Sequence, residues 1–161
     1  MGIICRVSDQ LDRLTQIFAQ AALGIIVTLF VVEVFARNVY GHSLTWVDEV
    51  AVTYLGTWFV FIGAAHAMKA GMLISFEFLF QRLSHPIRTA VFIGSQALIL
   101  LFLAVIIAFG TRLSALTMSQ SSPALQLPMG LAYLGVVTGC TLMFIHSVAA
   151  IVQKLSGGPN E

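Results

Sequence analysis

In an otherwise apolar chain, the charged side chains with the greatest chemical potential stand at the edges of two long hydrophobic runs. Glu33 lies inside the first run, four residues before Arg37. Trp46, Asp48 and Glu49 enter the second, Lys69 and Gly71 leave it, and Glu77 follows in a short apolar tail. A carboxylate inside a membrane-length segment is by default a functional candidate, because the bilayer penalises charge. Glu33 therefore admits two readings, a proton or cation site, or one half of a structural ion pair with Arg37 one helical turn away. Its place near the end of the run favours the ion pair. Asp48 and Glu49 suit a helix N-terminus, where acidic groups meet the positive end of the helix dipole. Arg37 is then available to be shared between Glu33 and one of these acids, tying the first helix to the second.

His66 and His146 raise haem ligation, since two membrane histidines at matching depth can supply both axial ligands. Counted from Lys69 and Lys154, their depths differ by about 7 Å at the helical rise. Local hydrogen bonding is the nearer reading for each. Cys5 and Cys140 match no metal or redox spacing and are expected as unpaired thiols. No nucleophile stands with a base, and no glycine loop suited to phosphate or metal-ligand cluster is present in the sequence, so the expectation is a non-enzyme without a cofactor of its own.

These residues need elements to hold them, and composition says which kind. The chain has 161 residues, 58% of them hydrophobic and only 9% charged, with a mean hydropathy of +0.95. A soluble domain carries about 25% charged residues, so this chain cannot cover its own surface in water. A net charge of +1 without a basic patch argues against nucleic acid. The first residues, with charges scattered among them, do not read as a cleaved signal peptide.

A span needs about 20 predominantly apolar residues. Four segments qualify, at residues 14–36, 47–68, 88–111 and 128–152, within a single membrane domain covering 1–161. Thr45 with Asp48 three residues on has the spacing of a capping box at the second span. Residues 72–83 are apolar but too short to cross, and read as an interfacial helix. With the N-terminus in the cytoplasm, Arg6, Arg13, Lys69, Arg82, Arg88 and Lys154 fall inside and only Arg37 and Arg112 outside. That bias places both termini in the cytoplasm. Short connections make sequential helices antiparallel neighbours, so the expected fold is an all-α, integral membrane four-helix bundle.

On the second span, Glu49, Gly56, Gly63 and Ala67 share one face at an ordinary helical period, and Tyr54, Trp58 and Phe61 fall opposite. Small residues allow membrane helices to approach closely. Either the small face packs inside the bundle while the aromatics touch lipid, or one of the faces meets a second protein.

The same stretch resembles the small membrane subunit, DctQ-like, of tripartite ATP-independent periplasmic (TRAP) transporters. The family's tryptophan followed by acids corresponds to Trp46-Val47-Asp48-Glu49, and its aromatic, glycine-containing helix to Trp58, Phe61 and Gly63. Its basic-x-Gly exit corresponds to the run from Lys69 and Gly71 to Glu77. Its Ser-Pro-Ala-Leu-x-Leu-Pro loop corresponds to Ser122–Pro128, with Tyr133 and Gly139 beyond. Leu73 stands where the family carries a histidine. The resemblance covers about Leu11 to Lys154. It implies a static scaffold subunit in the bacterial inner membrane, bound to a large permease subunit and surrounded by lipid. The permease would carry the substrate and sodium sites and work as an elevator, and a periplasmic binding protein would deliver an organic acid such as a dicarboxylate or a sialic acid. The alternatives from other classes are a self-sufficient homodimeric proton-coupled transporter, which needs a central carboxylate on its first helix, and a haem-bearing anchor of a redox complex.

Overall fold

A computed structural model describes residues 3–71 and 85–155. Among them α1 runs Ile3–Tyr40, α2 Thr45–Asp48, α3 Thr57–Lys69, α4 His85–Thr117 and α5 Gly130–Leu155, and a π-helical segment, Glu49–Gly56, joins α2 to α3 in one rod. Among the described residues four helical stretches are long and apolar enough to cross a membrane: Ser8–Tyr40, Thr45–Lys69, Val91–Thr117 and Gly130–Lys154. Both described ends of the chain lie at one end of the bundle, the terminal end. The 41–44 and 118–129 connections lie at the other, the loop end. The proposed interfacial helix, with Glu77 and Leu73, falls outside the described residues.

The helices are longer than the apolar runs alone suggest. α1 has 38 residues and so extends about 57 Å, well beyond the roughly 30 Å of a hydrocarbon core. Its buried residues form a sparse stripe, Ser8, Thr15, Ala22 and Glu33. Between these, much of its surface is apolar and exposed, including Val27, Val31 and Phe35, which suits lipid rather than water. Gly41, at φ +70°, ends the helix, with its N–H on the Arg37 carbonyl at 3.1 Å. Only a residue without Cβ takes that backbone conformation cheaply. Gly71 does the same after α3, at φ +72°.

α5 is the organising helix. It packs along both α3 and α4, and Ala132, Val137, Cys140 and Ala149 on it are buried. Its glycines make that possible. A Cβ at Gly139 would stand 2.5 Å from the Phe61 Cβ and 2.6 Å from the Phe61 backbone, and one at Gly135 would stand 2.8 Å from the Trp58 indole. At the loop end a Cβ at Gly130 would lie 2.5 Å from the Ser114 carbonyl, where Ser114 Oγ donates to Gly130 O at 2.8 Å.

Two expectations change here, and one of two alternatives falls. The capping box does not form, because Leu44 occupies the N-cap position and no side chain caps α2. The helix instead starts with the Val47 N–H on the Leu44 carbonyl at 2.8 Å. Next, the face carrying Gly56 and Gly63 is not the packed one. A Cβ at Gly63 would meet nothing within 4 Å, and one at Gly56 would meet only the Ala51 carbonyl of its own segment, at 2.9 Å. The aromatic face turns inward in its place, onto the glycines of α5. The π-helical turns take Glu49 out of the small-residue line: a wider turn slips the register between Glu49 and Gly63 by a residue, roughly 100° of rotation. Last, no ion pair joins Glu33 to Arg37 among the described residues. Glu33 is buried at 7% exposure while Arg37 is exposed. Four residues overshoot one turn by roughly 40°, and Arg37 sits a turn nearer the helix end, on the exposed side.

Candidate functional site

Two polar assemblies tie the bundle together, one at each end, and they recruit different subsets of the residues singled out in the sequence. At the loop end, the connection Ser122–Pro128 closes on itself. Ser122 N–H donates to Leu127 O at 2.9 Å, Gln126 N–H donates to Ser122 O at 3.2 Å, and Leu127 N–H donates to Ser122 Oγ at 3.1 Å. Ser121 and Pro128 form an isolated antiparallel bridge. Gln126 takes φ +56°, which lets the chain turn back within so few residues.

The second span holds this loop at three levels. Glu49 Oε2 accepts from the Ala124 backbone N–H at 2.7 Å. One turn on, the Tyr54 hydroxyl donates to Leu127 O at 3.1 Å and lies 3.4 Å from Pro128 O. A further turn on, Trp58 Nε1 donates to Leu131 O at 3.0 Å, at the start of α5, while its ring stands 6.4 Å from that of Phe18 on α1. A charged acceptor on a backbone N–H is among the stronger hydrogen bonds. Trp46 and Asp48 remain exposed at this end. Asp48 makes no ion pair with Arg37 among the described residues, and Glu49 spends its carboxylate on the loop rather than on Arg37.

At the terminal end, Lys69 on α3 reaches α1. Its ammonium lies 2.8 Å from Asp9 Oδ1 and 3.5 Å from Asp12 Oδ2, and donates to the Ser8 carbonyl at 3.2 Å. His66 Nδ1 donates to Asp12 Oδ1 at 2.7 Å. His146 Nδ1 shares a hydrogen bond with Ser8 Oγ at 2.8 Å, and Ser147 Oγ donates to Gln96 Oε1 at 2.9 Å. Both histidines are thus tied to α1 through Nδ1. Lys69, read as a marker of the helix exit, is a cross-helix anchor. The reading of the sequence passed over Asp9, Asp12, Ser8, Gln96 and Ser147. The available signal was position: Ser8, Asp9 and Asp12 open the first span at the level where Lys69 leaves the second.

Between α1 and the second span lies an open apolar groove of about 430 Å³, bordered by Leu23, Ile26, Val52, Gly56, Phe59 and Val60. Gly63, with open space at its Cβ position, and Ala67 lie further along the same rod. Among the described residues no group of three or more His, Cys, Asp or Glu side chains is placed to hold a metal ion.

Residues 26–157 match the family described as tripartite ATP-independent periplasmic transporters, DctQ component. The chain is also 31% identical over 114 residues to the C4-dicarboxylate TRAP transporter small permease protein DctQ of Rhodobacter capsulatus, covering 67% of this chain and 50% of that protein. The chain thus spans about half the length of the curated relative it matches. The matched segment takes in both ends of the second span, the Ser122–Pro128 loop that Glu49 holds, and the glycines of α5, so the chain belongs to the DctQ family of TRAP transporter components.

Proposed function

We propose that the chain is the non-catalytic small permease subunit of a sodium-driven TRAP transporter in the inner membrane. It braces a large permease subunit that moves substrate by an elevator motion, and a periplasmic binding protein delivers an organic acid. The sodium and substrate sites belong to the large subunit. The relative named for C4-dicarboxylates makes a small dicarboxylate the first substrate to try. The observation that carries this reading is the division of labour on the second span. Tyr54, Trp58 and both its ends are spent on internal bonds, while Gly56 borders an open apolar groove and Gly63 has open space at its Cβ position. Rigidly held helices with one small-residue side left open suit close helix contact in a membrane. Trp46, Asp48 and Glu49 would brace the periplasmic edge, and Gly56, Gly63, Ala67 and the Lys69–Gly71 exit would meet the partner or fix its level.

The test is co-purification of the tagged chain with the large subunit, combined with cysteine cross-linking from Val60, a groove residue 58% exposed. Recovery of the small chain without any large permease would sink the reading. A second reading, a self-sufficient proton-coupled transporter, is favoured by one observation only: Glu33 is buried within a membrane helix. Proton-coupled transport by the isolated chain in liposomes, abolished by Glu33→Gln, would establish it instead.

A further inference from the structure

α4 carries one charge within an uncovered apolar face. Arg112 is the sole charged residue in the 27-residue stretch Val91–Thr117, and it is exposed. Its neighbours one turn to either side, Phe109 and Leu116, are 67% and 65% exposed. Phe102 and Val105 continue the same line deeper along the helix and are exposed as well. The extensive packing of α4 is with α5, on the side that buries Leu103 and Ser114.

No carboxylate of the chain is placed to neutralise this charge. α4, α5 and the 118–129 connection contain no Asp or Glu. On the second span, Glu49 is bonded to Ala124, and no ion pair joins Arg112 to an acid among the described residues. The hydroxyls beside it are spent too. Thr111 bonds the carbonyls of Ile107 and Ala108, and Ser114 bonds that of Gly130. A charge on a lipid-facing helix is costly when left unpaired, so the anion has to come from outside the chain.

Its depth selects the anion. The stretch Val91–Thr117 rises about 40 Å, some 10 Å more than the hydrocarbon core. With the excess divided between the two ends, the hydrocarbon boundary falls about 5 Å inside Thr117. Arg112 stands about 7.5 Å inside Thr117, just within that boundary, and a side chain of its length snorkels outward from there to the headgroups. The guanidinium fork matches phosphate oxygens with two parallel N–H bonds. Below it, Phe109, Val105 and Phe102 offer a surface for acyl chains. A zwitterionic headgroup brings an ammonium that finds no carboxylate on α4 or α5, so a headgroup of net negative charge fits the site.

We propose that Arg112 anchors the headgroup of an anionic phospholipid in the leaflet at the loop end, with the acyl chains lying along the Phe102–Val105–Phe109 line of α4. The site needs the bilayer alone and does not depend on which partner the groove beside α1 receives. The experiment puts a benzophenone side chain in place of Phe109 in the full chain, held in nanodiscs of equal parts phosphatidylglycerol and phosphatidylethanolamine. Light fixes the adjacent lipid, and mass spectrometry of the 109–116 region identifies it. The expected result is roughly fivefold more phosphatidylglycerol than phosphatidylethanolamine adduct. Arg112→Gln should bring the two close to equal, and Arg112→Lys, which keeps the charge without the planar fork, should give an intermediate ratio. Excess inorganic phosphate should leave the ratio unchanged, because the acyl chains hold the ligand as well. Equal adducts with Arg112 in place overturn the proposal, as does enrichment undiminished by Arg112→Gln. Enrichment abolished by inorganic phosphate also overturns it, by showing a site for free anions.

Discussion

Glu49 and Ala124, 75 residues apart in the chain, are joined by a 2.7 Å hydrogen bond from the Ala124 backbone N–H to Glu49 Oε2. The bond makes the first turn of the second span a clamp on the loop ahead of the fourth. Because Ser122 bonds the far side of the same loop, the carboxylate holds a preformed turn and does not have to order it. Glu49→Gln keeps an acceptor but loses the charge that strengthens the bond. The expected outcome is a modest fall in melting temperature in detergent, with faster amide exchange confined to about residues 122–127. Unchanged exchange there would show that the loop holds itself without Glu49.

Gly139 and Gly63 offer a sharper contrast, because they are the same residue type on two packed spans with opposite surroundings. Gly139→Ala puts a methyl against the backbone of Phe61, which cannot rotate away. Overpacking of this kind costs about 1–3 kcal/mol, so the isolated subunit should melt lower. Gly63→Ala meets open space and gains helix propensity of up to about 1 kcal/mol, so the isolated subunit should melt unchanged or slightly higher. If the groove side docks the large subunit, Gly63→Leu should also reduce co-purification while leaving the isolated chain folded. Equal destabilisation by Gly139→Ala and Gly63→Ala would refute the assignment of faces.

The four spans were legible because a 20-residue apolar run admits few other fates, and Gly41 and Gly71 were legible as stops because their positive φ needs glycine. The importance of Glu49 was readable, but its partner was not: no local rule links residue 49 to a backbone N–H at residue 124. Which face of the second span packs inside was left open in the sequence for a definite reason. A helical wheel assumes one period, and the π-helical Glu49–Gly56 segment moves Glu49 off the small-residue line without any distinctive local composition. The Gly135-x-x-x-Gly139 spacing is a recognised sign of close approach, but it competes with the looser line of small residues on the second span, and only packing decides between them. Asp9 and Asp12 resemble ordinary flanking charges until α1 is seen to extend far enough to bring them level with His66 and Lys69.

Gly71 gives a prediction that depends on the backbone alone. It follows α3 at φ +72°, with its N–H on the Met68 carbonyl at 3.2 Å, and a Cβ there meets nothing within 4 Å. The cost of Gly71→Ala is therefore conformational and not steric, about 1 kcal/mol. Gly71→Asn should recover part of it, since asparagine tolerates the left-handed region better than alanine. Equal melting temperatures for the alanine and asparagine variants would count against this origin.

Two double-mutant cycles separate the ion pair read from sequence from the hydrogen bond that His66 and Asp12 form in the structure. His66 and Asp12 are 2.7 Å apart, with side chains 32% and 21% exposed, in a cluster that also holds Lys69. A hydrogen bond to a carboxylate is among the stronger ones. Asp12→Asn and His66→Gln should therefore couple by on the order of 1 kcal/mol in thermal or chemical unfolding. Glu33 and Arg37 have ideal helical spacing, yet one is buried and the other exposed, and no ion pair joins them among the described residues. Arg37→Ala should leave stability within about 0.5 kcal/mol of wild type, as for other surface changes. Glu33→Gln keeps the size and polarity of a side chain that makes no ion pair among the described residues, and should change stability by no more than about 0.5 kcal/mol. A coupling energy between Glu33 and Arg37 as large as that between Asp12 and His66 would mean that the two side chains meet in the membrane after all, and would restore Arg37 as a tie at the loop end.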